Sequence, residues 1–183
     1  MNPAPGTQHP APGLSPAGAL GRGLWALGSL LAACFPTTTR PPFLPQPSAV
    51  TFEVELPVPQ ATRALALALD ADSIPVRRTE AKDGWLESEW FDVKTRRPTT
   101  ARRLGLDVVK VRAWVDPSRP NHCNITVETV YRPLADPSRT DRELERQVPS
   151  THPIAGQMVA VGLQLSKLYG GARDSVVVPV KKP

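Results

Sequence analysis

The chain has 183 residues, a formal charge of +5 at pH 7, 40% hydrophobic side chains and 22 prolines, ten of which precede Ala49. That length allows one ordinary domain with appendages, and the uneven proline content excludes a single core through the whole chain. No apolar run approaches the roughly 20 residues that cross a bilayer as a helix, and two cysteines cannot build a disulfide framework.

Met1 to Gly23 is rich in Pro, Gly and Ala, with Arg22 as its only strong charge. Leu24 to Ala33 follows as ten residues without a charge, the length of a signal-peptide apolar region and about half of a membrane span. The basic residue ahead of it favours holding that end in the cytoplasm. At its end stands Leu31-Ala32-Ala33-Cys34. Here the chain resembles a bacterial lipoprotein precursor, whose lipobox is an aliphatic residue, two small residues and a cysteine. Small side chains let the backbone enter a peptidase cleft, and a thiol is the nucleophile that can carry diacylglycerol.

The resemblance implies diacylglyceryl transfer to Cys34, cleavage between Ala33 and Cys34, and stable anchoring by two or three acyl chains. Residues 1–33 are then a lipoprotein signal peptide. Residues 34–48 read as the lipidated cysteine and a tether, because Phe35 to Ser48 holds five prolines. Such a stretch cannot bury a core and, extended, reaches about 40 Å. Phe rather than Asp at position 35 lacks the inner-membrane retention signal of enteric lipoproteins. This implies a bacterial envelope location, at the outer membrane, with the domain in the periplasm.

The domain is expected over residues 49–171, with residues 172–183 as a tail. Val50, Phe52, Val54 and Leu56 alternate with polar residues, the period of a half-buried strand. Gln60 to Ala71 is Ala- and Leu-rich and predicts a helix with Ala61, Ala64, Leu65, Ala68 and Leu69 on one face. Val76–Lys82 and Trp85–Phe91 read as a hairpin about Asp83-Gly84. Arg102 to Val115 is the longest strand signal. Its alternation slips a phase at Val108-Val109, which predicts a β-bulge there. Residues 116–121 read as a turn, and Cys123, Ile125, Val127, Thr129 and Tyr131 as one face of a further strand.

Arg132 to Thr151 is polar, with a short helix around Asp141 to Gln147. From Pro153 to Tyr169, Ile154, Met158, Val161, Leu165 and Leu168 form a helical stripe, with Thr151 as N-cap. The order is β-α-β-β-β-β-α. It predicts a two-layer α+β domain: a mostly antiparallel sheet whose apolar face carries two helices and whose other face carries Glu53, Glu55, Glu87, Glu89, Lys110, Arg112 and Glu128.

Catalytic chemistry finds little support. His122 and Cys123 are neighbours in a strand and point to opposite faces, a poor geometry for a dyad. No ligand set has zinc spacing, and no Gly-rich phosphate loop or nucleophile elbow is present. No enzyme, cofactor or metal is expected. Charge is more informative. Lys94, Arg96, Arg97, Arg102 and Arg103 crowd the loop before the long strand, and Trp85 and Trp114 fall on the polar sheet face with Lys110 and Arg112. Exposed aromatics beside cations mark interaction surfaces. Arg96, Arg97, Arg102, Arg103, Lys110, Arg112, Trp85 and Trp114 are therefore the candidate binding surface.

Over the element order from Ala49 to Gly170 the body resembles the small α+β, helix-grip-like domains of lipoproteins that accompany the outer-membrane β-barrel assembly machine. The shared features are the lipobox, the Pro-rich tether, the Gly84-Trp85-Leu86-Glu87 start of a strand and the final amphipathic helix. The expectation is a lipid-anchored, non-enzymatic domain that docks an envelope protein, with membrane and protein as partners and no nucleic acid. The alternatives are an envelope enzyme or accessory acting on an anionic polymer, in which Glu87, Glu89, Arg103 and Arg112 would converge in a pocket, and a cytoplasmic nucleic-acid binder whose amino end is spurious.

Overall fold

The computed structural model describes residues 38–100 and 103–170. The expected signal peptide with Ala33, the expected lipidation site Cys34, the expected tether up to Thr37, Arg102 and the expected tail from residue 172 lie outside the described residues.

Strand β1 (Val50–Val54) leads through Pro57 into helix α1 (Val58–Ala71), which starts two residues earlier than its apolar pattern because prolines are tolerated in a first turn. Strands β2 (Val76–Glu80) and β3 (Trp85–Ser88) follow, then the two-residue β4 (Phe91–Asp92). The long pair β5 (Val108–Arg119) and β6 (His122–Tyr131) forms the centre of the sheet. A one-turn helix α2 (Asp141–Leu144), a short β7 (Arg146–Gln147) and helix α3 (Pro153–Leu168) complete the fold. The sheet is antiparallel throughout, ordered β1-β6-β5-β3-β2, with β4 extending the β3 side along β5 and β7 the β1 side along β6. The α+β, two-layer architecture is the expected one.

Helices α1 and α3 cover one face of this sheet. Leu65 and Leu69 of α1 and Met158 and Leu165 of α3 pack with Phe52, Val54, Leu86, Val109, Val111, Val115 and Ile125. Gly162 allows the closest approach, since a Cβ there would lie 2.8 Å from the Phe52 ring. The α3 stripe stops at Leu165, and Leu168 is 64% exposed. Its N-cap is His152 rather than Thr151: the His152 Nδ1 accepts from the Ile154 amide at 3.3 Å.

The long strand differs from its sequence pattern in two ways. It begins at Val108, so the phase slip at Val108-Val109 marks where a loop becomes a strand; no bulge interrupts the register from Val109↔Tyr131 to Pro117↔Cys123. It also runs through Pro117, and the irregularity falls between Pro117 and Arg119, where a missing N–H is tolerated. In the hairpin, Glu80 pairs with Trp85, leaving four residues in the loop. Gly84 there has φ +64°, and its carbonyl accepts from the Val115 amide. A Cβ at Gly84 would lie 2.2 Å from the Val115 oxygen.

The second sheet face is the larger surprise. Residues 38–48 lie across it as a strap. Prolines prevent that segment from forming a helix or strand, but they do not prevent an extended chain from docking by backbone groups and one aromatic ring. The tether reading is therefore corrected for residues 38–48.

Candidate interaction surface

From Val108 to Val115 every residue of β5 is buried, on both faces. Alternation places Lys110, Arg112 and Trp114 opposite the core, and cross-strand pairing sets Arg112 between Glu87 of β3 and Glu128 of β6. The Arg112 guanidinium makes a two-pronged pair with Glu145 at 2.6 and 2.7 Å, and reaches Glu128 at 3.4 Å and Glu87 at 3.3 Å. Lys110 Nζ donates to Glu87 at 2.8 Å, and Arg142 grips Glu128 at 2.6 and 2.8 Å. Three cations thus meet three carboxylates, with Glu128 and Glu145 essentially inaccessible to water.

Within the network, Glu87 and Arg112 are each held in the charged form by their partners. Burial pushes the Glu87 carboxyl up, but the hydrogen bond and charge of Lys110, with the charge of Arg112, outweigh it and keep the group below the usual carboxylate range. Burial also opposes the Arg112 charge, and is outweighed by Glu145, Glu87 and Glu128, so its pKa rises and the guanidinium stays protonated.

The strap closes over this network. Thr39 donates its amide and hydroxyl to Asp83, and Arg40 pairs with Asp116 at 2.7 Å. The Phe43 ring lies 5.2 Å from the Arg112 guanidinium and 4.5 Å from that of Arg142, and meets Trp114 edge-on at 6.2 Å. Arg142 also donates to the Leu44 carbonyl, the Gln46 amide donates to Glu128, and Gln147 donates to the Ser48 carbonyl. Trp85 and Trp114 stack edge to face at 4.8 Å beneath it.

The expected binding surface is corrected accordingly. Lys110, Arg112, Trp85 and Trp114 are all buried, at 3–8% exposure: Phe43 of the strap lies against Arg112 and Trp114, Trp85 packs on Trp114, and Lys110 lies against the Trp90 ring. Nor do Glu87, Glu89, Arg103 and Arg112 converge: Arg103 pairs with Asp92, and Glu89 lies by Arg77. Of the basic loop, Arg97 and Arg103 are exposed. Arg96 is held by a 2.6 Å hydrogen bond from Nη2 to Gln157 of α3 and lies over the Phe91 ring. Sequence reasoning missed Phe43, Arg142 and Glu145. The one available signal was a lone aromatic flanked by prolines in an otherwise coreless stretch.

That Arg96–Gln157 contact ties the basic loop to the first turns of α3. There Ala155, Gly156, Met158 and Val159 face Val50, Val127 and Val148 across a cleft of about 430 Å³. Ser48, Thr129, Gln147, Pro149 and Ser150 complete its lining, and the buried Gln147 Oε1 has no hydrogen-bond partner. The cleft is apolar with a few polar groups, the usual make-up of a binding groove. Among the described residues no group of three or more His, Cys, Asp or Glu is arranged to hold a metal, and no helix is long and apolar enough to cross a membrane. Cys123 is buried, and burial pushes its thiol up.

No protein-family model matches the chain, and neither a curated protein nor a solved structure is found similar to it.

Proposed function

We propose that the protein is a lipid-anchored bacterial envelope lipoprotein whose α+β domain faces the periplasm, outer-membrane in location, and docks an envelope protein without catalysing a reaction. The observation that carries the reading is Leu31-Ala32-Ala33-Cys34 closing ten uncharged residues behind Arg22. Two features of the domain support docking. The converging charges are each consumed by a partner charge, as in a structural network. The apolar cleft beside α3, with a few polar groups in its lining, is suited to a peptide segment that inserts an apolar side chain. Components of the outer-membrane assembly machinery are the partner class the element order brings to mind.

Radiolabelled palmitate fed to expressing cells is expected to enter the protein and to be absent from Cys34→Ala; label that persists in that variant contradicts the anchor. Docking is tested by crosslinking in envelopes. A Cβ at Gly156 meets no atom within 4 Å, so Gly156→Phe fills the cleft mouth while improving helix propensity by roughly 0.3–0.5 kcal/mol. Loss of the crosslinked partner with an unchanged or higher melting temperature is expected, and full crosslinking contradicts the site.

A further inference from the structure

The strap sets which end of the domain meets the lipid. It is latched first at Asp83 and Asp116, by Thr39 and Arg40, and from there crosses the strands toward Glu128 and Ser48. Asp83 belongs to the β2–β3 loop, and Asp116 stands beside the β5–β6 turn. Both mark one end of the sheet. The last turn of α3 reaches the same end, where the Tyr169 carbonyl accepts from the Glu55 amide just past β1. The basic loop and the cleft belong to the opposite half, since Asp92 and Val108 pair at the far end of β5.

We infer that the domain stands end-on to the phospholipid surface, with the Asp83–Asp116 end down and the basic loop and cleft directed away. This rests on the anchor reading for Cys34. With residues 38–48 docked, only the link from Cys34 to Thr38 is left to span, no more than about 14 Å when fully extended. From Asp116 to Val108 the strand measures about 26 Å. The link is shorter than the strand, so the domain cannot invert to place its basic loop on the bilayer beneath the anchored end.

The lower end carries side chains that can seat among headgroups, while its Asp83 and Asp116 carboxylates are engaged by Thr39 and Arg40 of the strap. Leu168 and Tyr169 are exposed there beside Lys167, an apolar, an amphipathic and a basic side chain together, with Lys82 exposed on the β2–β3 loop. The Arg97 and Arg103 charges are thereby kept for a protein reached through the periplasm and not spent on the anchoring membrane.

The test couples Cys34 of the full chain to a maleimide phospholipid in phosphatidylcholine–phosphatidylglycerol vesicles. A donor dye is attached through an azide-bearing residue introduced at Lys82 or at Arg97, and energy transfer to sparse headgroup-labelled lipid is read. Transfer from position 82 is expected to exceed that from 97 by at least about threefold, given the strand length between them. Loosening the strap with Arg40→Ala and Phe43→Ala should shrink that ratio toward one. Equal or inverted transfer in the otherwise unaltered chain overturns the orientation. Palmitate labelling in cells reports separately on the anchor: no label there removes the anchor reading while the vesicle result stands on its own.

Discussion

Arg112 is the side chain on which the second face turns. Three carboxylates surround it, two of them shut off from water, so its removal would leave Glu145 without its two-pronged partner. Breaking a buried pair from one side is far more damaging than replacing both partners, because an uncompensated charge stays behind. Arg112→Met is therefore expected to destabilise the domain by about 3–5 kcal/mol in urea unfolding. Arg112→Met combined with Glu145→Leu should recover part of that loss; a double variant no better than the single one would show that Glu145 is not the group left stranded. Glu87 gives the pH dependence. Its folded pKa is lowered, so its stabilising contribution is fully present above the unfolded value of about 4.3 and disappears as pH falls through the folded value. Denaturation midpoints should fall on acidification below about pH 4.3, and less steeply in Glu87→Gln. Equal slopes would remove Glu87 from the cause.

Among the elements, those that follow a single periodicity were legible in advance. The period-two runs of β1 and β6 and the helical stripes of α1 and α3 lie where apolar spacing puts them, since each has one face on the core. β5 was harder to read because both of its faces are buried. Its apolar residues pack under helices while Arg112 and Trp114 pack under the strap and Lys110 against Trp90, and polarity alone made that second face look solvated. The strap was illegible for a related reason. Its hold is a set of backbone hydrogen bonds, the Thr39 and Arg40 side chains on Asp83 and Asp116, and one ring between two guanidiniums, contacts set by distant residues and invisible to local pattern. In the basic loop, too, a distant residue decides: Arg96 is engaged by Gln157, 61 positions away.

The strap is marginal enough to test. Each guanidinium on Phe43 contributes about 0.5–1 kcal/mol, so Phe43→Ala should raise hydrogen exchange at the Gln46 amide about tenfold while β5 amides keep their protection. Uniform acceleration across the sheet would mean the ring supports the whole fold instead.

At the scale of the whole molecule, the arrangement is polar in the geometric sense. Connection to the amino-terminal segment leaves at one end of the sheet, beside Asp83 and Asp116, and the apolar cleft and the basic loop lie in the other half. A chain whose first domain residues are strapped down transmits the position of its anchor to the body with little slack. Under the proposed anchoring, a lipid at Cys34 would therefore do more than retain the protein: it would set what the cleft can reach. The most direct measurement is mass spectrometry of the protein isolated from envelopes of its native cells. The amino-terminal peptide is predicted to begin at Cys34 and to carry the mass of a diacylglyceryl group, whereas a peptide running unmodified through Ala33 and Cys34 in a soluble fraction would contradict the proposal at its root.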